Sequence, residues 1–345
     1  MHNDIGRYER DMDSNSTASE RVVVAGRDRL ELQPWLAPGP DAGQLRIRVA
    51  YSAVSFGDVM LRRHVFRDRP TVAVPGYEVV GTVDAIGPHV TGRRLGERVA
   101  VFVEYGGNAR HAVVRAQDAV SVPEGVDDPH AAAVILNYAT ALGMFEAAGL
   151  APGDDLLVQG ASGGVGSATL DTARASGLRA FGTTRTDTSV DLFGARLFDA
   201  RSRTLIEDVR AASGGGVRAV FDGRAGRGLW QSRAMVKRGG SLIVFGLSSV
   251  ANRGARARVG SALSIASLAL FRALHAKRTS LFRMDETYRR DPSRVSGWVA
   301  RALDVAAAGA IAPIIGATLP LEQITEAHRV LESGRIVGKV VIDSR

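Results

Sequence analysis

Residues 156–166, LLVQGASGGVG, decide how this chain folds. The first three are apolar and predict a short buried strand, and the glycines after them predict a sharp turn into a helix. Glycine at such a turn lets backbone N–H groups approach a pyrophosphate, which the start of the helix also attracts. We therefore predict a dinucleotide site, although a tight strand-to-helix turn without a ligand would need the same glycines. The predicted pyrophosphate contacts are Ala161, Ser162, Gly163, Gly164, Val165 and Gly166.

The end of the next strand, predicted at 179–183, indicates which dinucleotide is bound. NAD sites usually carry Asp or Glu here, where the carboxylate binds the ribose 2′-hydroxyl. This chain has Thr184 and Arg185 instead, and no acidic residue follows until Asp187. A carboxylate would repel a 2′-phosphate, whereas hydroxyls and a guanidinium can bind it. The sequence predicts NADPH, with Thr184 and Arg185 as contacts; the alternative for Arg185 is a solvated side chain.

The rest of the chain divides by the spacing of its strands. Residues 1–20 are polar and lack apolar periodicity, so we expect a mobile leader there. From about 21 to 130 short strands alternate with turns, which predicts a β-rich domain. From 131 to 276 strands alternate with helices, which is typical of a doubly wound parallel sheet in an α/β fold. Residues 277–345 resume with a helix and end in a strand.

Composition excludes several classes of function. The 345 residues contain no cysteine, which excludes disulfide frameworks, Cys-ligated metal sites and cysteine nucleophiles. Lys and Arg number 44 against 36 Asp and Glu, but the arginines are scattered among acids, which disfavours nucleic acid as a partner. No apolar stretch has the length of a membrane span, and residues 1–20 resemble neither a signal peptide nor a transit peptide. We expect a cytoplasmic protein with no membrane partner.

Four segments together resemble one protein family. They are residues 51–58 (YSAVSFGD), 75–81 (PGYEVVG), 161–166 and 338–341 (GKVV). In this order they are similar to motifs of the zinc-free quinone oxidoreductases and enoyl reductases of the medium-chain dehydrogenase/reductase superfamily. The resemblance covers roughly residues 22–343.

This resemblance implies an architecture. A GroES-like catalytic domain would consist of residues 21–130 and 277–345, and a Rossmann domain that binds NADPH would consist of residues 131–276. The active site would lie in the cleft between them. Members of the family commonly form homodimers by joining Rossmann sheets edge to edge, and residues 241–247 are the candidate edge here.

The resemblance also implies cofactor contacts outside the glycine-rich turn. They are Ser55, Phe56, Asn137, Thr140, Phe245, Gly246 and Lys339. Ser55 and Phe56 would face the nicotinamide side. Lys339 matches a near-terminal lysine of the family, and its alternative is a solvated strand residue.

Departures from the family pattern change the expected chemistry. Tyr77 stands where the zinc-dependent alcohol dehydrogenases have a zinc-ligating His, and no Cys exists, so we expect no metal. Met60 and Phe66 stand near places where related quinone reductases often carry tyrosines, which predicts an apolar substrate pocket. The candidate proton donors are therefore His64, Tyr77 and Tyr138, each of which could instead be a solvated or packing residue, and water.

Without zinc, conjugate reduction is easier than carbonyl reduction, because an enolate spreads the charge that an alkoxide concentrates on one oxygen. We expect NADPH-dependent reduction of a small hydrophobic quinone or α,β-unsaturated carbonyl. Two alternatives stay open: a biosynthetic enzyme of the same lineage, acting on enoyl thioesters or by non-redox cyclisation or elimination, and a catalytically silent NADPH-binding protein. The arginine-rich segment 251–290 indicates either a phosphate-bearing substrate or a solvated basic helix.

Overall fold

The structure is a computed structural model. It describes residues 15–26, 28–65, 72–185, 187, 189–225, 228–246 and 279–345. Phe66, residue 247 of the predicted sheet edge and residues 251–278 of the arginine-rich segment lie outside this part of the chain.

The described residues form fifteen strands and eight α-helices. The strands are β1 (Thr17–Val24), β2 (Leu30–Ala37), β3 (Gln44–Val54), β4 (Glu78–Ile86), β5 (Arg98–Phe102), β6 (His111–Arg115), β7 (Val120–Ser121), β8 (Asp155–Gln159), β9 (Arg179–Thr184), β10 (Arg196–Asp199), β11 (Val217–Asp222), β12 (Val236–Val244), β13 (Thr279–Leu281), β14 (Ile315–Pro320) and β15 (Lys339–Asp343). The α-helices are α1 (Phe56–Arg62), α2 (Asp128–Ala148), α3 (Gly164–Ala175), α4 (Leu205–Ala212), α5 (Gly228–Ala234), α6 (Met284–Arg290), α7 (Pro292–Ala307) and α8 (Ile324–Ser333).

Six parallel strands form one sheet, in the order β10-β9-β8-β11-β12-β13. Every residue of the central strand β8 is buried, as expected for a parallel sheet that is covered on both faces. The glycine-rich turn follows β8 and leads directly into α3. The predicted α/β fold with a parallel sheet is therefore confirmed.

One prediction about this sheet is wrong. β12 is not an edge strand, because it pairs with β11 on one side and with β13 on the other. β13 also begins after the predicted domain boundary at 276, so a strand beyond that boundary belongs to the parallel sheet. With three residues, β13 is too short to show a periodic apolar pattern in the sequence.

The other large sheet has seven strands, with β14-β15-β3-β4-β5-β7 in order and β6 also paired to β3. The chain's last strand, β15, lies antiparallel to β3 and places Val340 opposite Val54. The separate hairpin β1–β2 begins at Thr17, so residues 17–20 of the predicted leader are in a strand. Polar side chains of this strand make specific contacts, such as the ion pair of Glu20 with Arg110, which explains why polarity alone misled the prediction.

Helix α2 packs against strands of both sheets and forms much of the core. Asp127 accepts a hydrogen bond from the backbone N–H of His130 at the start of α2, and Gly149 ends the helix with a φ of +59°. By length and composition α2 could cross a membrane, and 78% of its apolar 18-residue window is buried within the protein. It is the one helix with these properties in the described residues.

Candidate cofactor and substrate site

The turn after β8 requires glycine at two positions, Gly160 and Gly166. Gly160 has a φ of +83°, and the backbone N–H of Ala161 donates to the carbonyl of Thr183 at 2.8 Å. A Cβ on Gly166 would lie 2.1 Å from the Gly160 oxygen, so only glycine fits there. Gly163 occupies the N-cap of α3, and no side chain caps this helix start. Backbone N–H groups at such a start favour an anion, as expected for a pyrophosphate site.

Thr184 and Arg185 follow at the end of β9. Thr184 is buried, and its hydroxyl lies 3.5 Å from the hydroxyl of Ser162 in the glycine-rich turn. Arg185 is exposed. The first acidic residue after it, Asp187, accepts a hydrogen bond from the backbone N–H of Ser189, which lowers the pKa of this exposed carboxyl. The carboxylate of Asp187 is thus held by its own turn.

A buried polar network, which the sequence reasoning missed, joins the carboxyl ends of three neighbouring strands. The hydroxyl of Thr183 donates to the side-chain oxygen of Gln159 at 2.6 Å, and the Gln159 amide donates to Ser232 at 3.1 Å. The Ser232 hydroxyl in turn donates to Asp222 at 2.7 Å. Polar residues at the ends of apolar strands were the available signal. The network holds the carboxyl ends of these strands in place, and ligands bind at the carboxyl ends of the strands in such folds.

Phe245 and Gly246 lie at the same carboxyl end of the parallel sheet, just after β12. The backbone N–H of Phe245 donates to the carbonyl of Asp222 at 3.0 Å. A Cβ on Gly246 would lie 2.5 Å from the Gly223 oxygen, so the backbones of the two segments are in close contact. Both Phe245 and Gly246 are half-buried beside the predicted cofactor path.

Gly338, just before β15, connects the glycine-rich turn to the seven-stranded sheet. The backbone N–H of Gly338 donates to the carbonyl of Ser162 at 3.0 Å, and Gly163 and Gly338 form an isolated parallel bridge. Gly338 has a φ of +86°, and a Cβ there would lie 2.2 Å from the oxygen of Ile314. The chain therefore passes directly from the predicted phosphate site into β15 of the seven-stranded sheet.

Lys339, the next residue, is buried rather than solvated. Its side chain is 3% exposed, and its ammonium donates to the hydroxyl of Ser55 at 2.5 Å and forms an ion pair with Glu78. Glu78 is fully buried, and the Ser55 hydroxyl lies 3.3 Å from the same carboxylate oxygen. Ser55, a predicted nicotinamide contact, thus has its hydroxyl held by a buried ion pair.

Asp58 is a second buried carboxyl beside this group. Its two oxygens accept hydrogen bonds from the backbone N–H groups of Ser55 and Gly76, each at 2.7 Å. Burial, and then the proximity of Glu78, raise the pKa of Asp58 to about 7 against the opposing effects of these hydrogen bonds and of Lys339. The sequence reasoning did not single out Asp58, although an acid three residues after Ser55 is the pattern of a helix capping box.

Asn137 and Thr140 lie on α2, and both are 5% exposed. A Cβ on Gly164 would lie 2.6 Å from the Asn137 amide nitrogen, so α2 passes directly beside the glycine-rich turn. Phe56 is half-buried at the start of α1. The structure thus brings the predicted contacts on α1, α2, β15 and the turn into one region.

Known proteins share this combination of sheets and turn. Residues 41–124 match the family model described as alcohol dehydrogenase GroES-like domain, and residues 193–342 match the model described as zinc-binding dehydrogenase. The human synaptic vesicle membrane protein VAT-1 homolog is 29% identical over 332 residues, covering 92% of this chain and 84% of that protein. Rat quinone oxidoreductase is 27% identical over 327 residues, covering 92% and 94%. The structure of a mycobacterial protein complexed with NADPH has a TM-score of 0.79 at 26% identity, covering 94% of this chain and 100% of that chain.

The chain belongs to the medium-chain dehydrogenase/reductase superfamily. The predicted pairing of a GroES-like domain with a Rossmann domain is confirmed.

Zinc-dependent members of this superfamily hold a catalytic metal, which needs a cluster of ligating side chains. No group of three or more His, Asp or Glu side chains in the described residues could hold a metal ion, and the whole sequence has no Cys. Tyr77 stands at the position of the zinc-ligating His, and a neutral phenol is a poor zinc ligand.

Two of the three candidate proton donors already have hydrogen-bond partners. The imidazole Nε2 of His64 lies 2.7 Å from the carbonyl of Gly26, in the turn between β1 and β2. The hydroxyl of Tyr138 donates to Asp171 at 2.8 Å in the core. Burial, and then the charge of Asp171, raise the pKa of Tyr138. Both side chains therefore have structural roles in this medium-chain fold.

Tyr77, the third candidate, is half-buried, and Met60 is 7% exposed on α1. Of the predicted apolar pocket, the structure thus describes Met60 alone.

The described arginines of the arginine-rich segment are paired with acids. Arg283 pairs with Asp285, Arg289 with Glu104 at 2.6 Å, and Arg290 with Glu286. Each guanidinium thus has a carboxylate in contact, which lowers the net positive charge available to a phosphate-bearing substrate here.

Proposed function

We propose that this protein is an NADPH-dependent, zinc-independent reductase of a small hydrophobic quinone or α,β-unsaturated carbonyl. One observation carries the proposal: the uncapped glycine-rich turn is hydrogen-bonded through Gly338 to the strand whose next residue, Lys339, reaches Ser55 and Glu78. The predicted dinucleotide site would thus adjoin a buried polar group, and no cluster of metal-ligating side chains is found among the described residues. The name of the rat quinone oxidoreductase supports this activity, and the NADPH complex of the mycobacterial structure supports this cofactor.

The choice of NADPH rests on the end of β9. Thr184 and Arg185 offer a hydroxyl and a guanidinium to a 2′-phosphate, and no carboxylate precedes Asp187 to repel it. The N–H groups at the start of α3 would hold the pyrophosphate. Bound NADPH supplies a hydride to the conjugated carbon of the substrate.

The chain's own contribution is binding, orientation and exclusion of water. Ser55 and Phe56 would orient the nicotinamide side, and the ion pair of Lys339 with Glu78 holds the Ser55 hydroxyl in one place. Met60, which is buried on α1, would contribute to an apolar substrate pocket. Positioning two reactants in a dry cleft is a large part of the rate enhancement that such a site can give.

The test is NADPH oxidation, followed at its absorbance, with a panel of quinones, enones and enoyl thioesters. We expect turnover with at least one class and a preference for NADPH over NADH. Arg185→Ala should reduce that preference by about tenfold or more, whereas Arg201→Ala, at another exposed arginine, should leave it unchanged. NADPH binding without oxidation of any substrate would instead support a catalytically silent binding protein.

We also propose that the protein is a cytoplasmic homodimer. In the six-stranded sheet, the edge strands among the described residues are β10 and β13, so an edge-to-edge dimer of this sheet would use one of them. Sedimentation equilibrium tests the mass, and a monomer at micromolar concentration would contradict it.

A further inference from the structure

The hydroxyl of Tyr77 has no hydrogen-bond partner among the described residues, and the side chain is half-buried. Its position is nevertheless fixed. The ring stacks on Phe102 with centroids 6.1 Å apart and planes inclined by 25°. A Cβ on Gly57 would lie 2.6 Å from the hydroxyl oxygen, so the hydroxyl lies directly against the second residue of α1.

This location places the hydroxyl beside the predicted nicotinamide contacts. Gly57 follows Ser55 and Phe56, and Tyr77 immediately precedes Glu78, which binds both Ser55 and Lys339. The other two candidate donors have partners elsewhere, His64 at Gly26 and Tyr138 at Asp171. Tyr77 is therefore the one candidate with a hydroxyl that is fixed, lacks a hydrogen-bond partner among the described residues and lies next to this group.

We propose that the Tyr77 hydroxyl donates a hydrogen bond to the carbonyl oxygen of the substrate and keeps its own proton throughout the reaction. The inference rests on the proposed reductase function and adds the group that stabilises the developing negative charge. A fixed neutral donor costs little reorganisation, which is what makes such donors effective.

The surroundings of Tyr77 explain why the proton stays. Burial raises the pKa of Tyr77 well above 10, and the charges of Asp58, Asp285 and Glu78 act in the same direction. A phenolate would lie close to these carboxyl groups and would be repelled by them. The hydroxyl can therefore donate a hydrogen bond, but it is a poor group to lose a proton.

The electrons and protons balance with water as the proton source. As the β-carbon of an enone gains the hydride, the pair from the C=C bond moves towards the carbonyl, and the resulting enolate oxygen accepts the hydrogen bond of Tyr77. The α-carbon then forms a C–H bond with a proton from solvent, and the carbonyl is restored. Tyr77 ends with the proton with which it began.

The test compares Tyr77→Phe with Tyr105→Phe in the full chain. Tyr105 is a neighbouring, half-buried tyrosine for which no role is assigned. We expect Tyr77→Phe to lower kcat by about a hundredfold, as for loss of one oxyanion donor, while the Kd for NADPH, read from its fluorescence, changes by less than about twofold. Tyr105→Phe should leave both unchanged. Wild-type kcat should show no ionisation with a pKa of about 9 to 11, because Tyr77 does not titrate there.

Each contrary result has a separate meaning. A kcat for Tyr77→Phe within about twofold of wild type would overturn this inference alone. The same holds for an equal loss in Tyr105→Phe, or for a wild-type ionisation near 10 that disappears in Tyr77→Phe, because that would show proton transfer. If the wild-type protein binds NADPH but reduces no quinone, enone or enoyl thioester, the proposed function fails and the inference fails with it.

Discussion

The ammonium of Lys339 forms an ion pair with the carboxylate of Glu78 although 261 residues separate them, and both side chains are buried. One is the first residue of the last strand, and the other is the first residue of β4. The second carboxylate oxygen of Glu78 has no hydrogen-bond partner among the described residues. Glu78 therefore depends on Lys339 and Ser55 for the compensation of its buried charge.

Removing one partner of this pair should be costly. Lys339→Met leaves a buried, uncompensated carboxylate at Glu78, and we expect the free energy of unfolding to fall by about 3–5 kcal/mol. Adding Glu78→Gln to that variant should recover part of the loss, because the uncompensated charge is gone. Urea denaturation measures both changes.

The control is Lys237→Met, the same substitution at a half-buried lysine with no ion pair among the described residues. It should change stability by less than about 0.5 kcal/mol. If Lys339→Met is as stable as wild type, or if Glu78→Gln adds a further loss, the pair does not have the role given to it here.

The contact of Gly338 with the glycine-rich turn allows a second prediction. A Cβ on Gly338 would lie 2.2 Å from the Ile314 oxygen in addition to the strain of a φ of +86°, so Gly338→Ala should displace the backbone that donates to Ser162. We expect a loss of about 2–4 kcal/mol in unfolding free energy, from backbone strain and overpacking together, and weaker NADPH binding in fluorescence titrations.

Gly309→Ala is the matched control, because Gly309 also has a positive φ, of +69°, but no atom lies within 4 Å of its added Cβ. It should lose only about 1–2 kcal/mol and bind NADPH as wild type does. Equal effects of the two substitutions would show that strain at φ, rather than the contact with the turn, sets the cost.

The predictable part of this protein is the part encoded locally. The turn at 159–166 carries its own strand, glycines and helix start within a few residues, and the parallel sheet follows from strands that alternate with helices. β13 and the start of β1 were missed because a three-residue strand and a polar strand carry no apolar periodicity. Their pairing is decided by neighbouring strands that lie far away in the sequence.

The environment of the site residues was less predictable, because it depends on contacts between distant segments. The sequence alone allows Lys339 to be solvated or buried, and it is buried because β15 lies between β14 and β3. The apolar residues around it, in VGKVVI at 337–342, were the signal that favoured burial. Similarly, the sequence could not show that His64 binds Gly26 whereas the Tyr77 hydroxyl stays without a partner among the described residues.

His328 should make the protein sensitive to acid. Its imidazole is fully buried on α8, and neither ring nitrogen has a hydrogen-bond partner among the described residues. Burial, and then the charges of Arg62 and Arg63, lower the pKa of His328 to about 3. The unfolded chain takes up this proton near the ordinary pKa of about 6.5. The contribution of His328 to the free energy of unfolding is therefore fully present above that pH. It is lost as the pH decreases towards 3, which lowers the free energy of unfolding by about 4 kcal/mol.

His328→Leu should remove this contribution, so that its unfolding free energy falls less than that of wild type between pH 6.5 and pH 3. His89→Asn, at an exposed histidine with a φ of +63°, should retain the wild-type dependence. Denaturation curves at several pH values measure the difference, and parallel pH profiles for wild type and His328→Leu would contradict the assignment.

Asp58 should have the opposite effect over an overlapping range of pH. Its pKa is raised to about 7 in the folded chain, so the folded state keeps a proton that the unfolded state loses above a pKa of about 4. The contribution of Asp58 is therefore fully present below pH 4 and is lost as the pH rises through 7, by about 4 kcal/mol. The asparagine of Asp58→Asn cannot lose a proton, so this pH dependence disappears in the variant. Its amide nitrogen replaces one of the two oxygens that accept backbone hydrogen bonds, so the variant should be less stable than wild type at low pH.

The difference in unfolding free energy between wild type and Asp58→Asn should thus shrink steadily from pH 4 to pH 7. Glu124→Gln, at an exposed carboxyl, is the control and should show a constant difference over the same range. The double variant with His328→Leu separates the two titrations, since the remaining slopes of the single variants have opposite signs. A difference for Asp58→Asn that grows with pH would mean that Lys339 and the backbone donors outweigh burial, and that Asp58 is ionised in the folded protein.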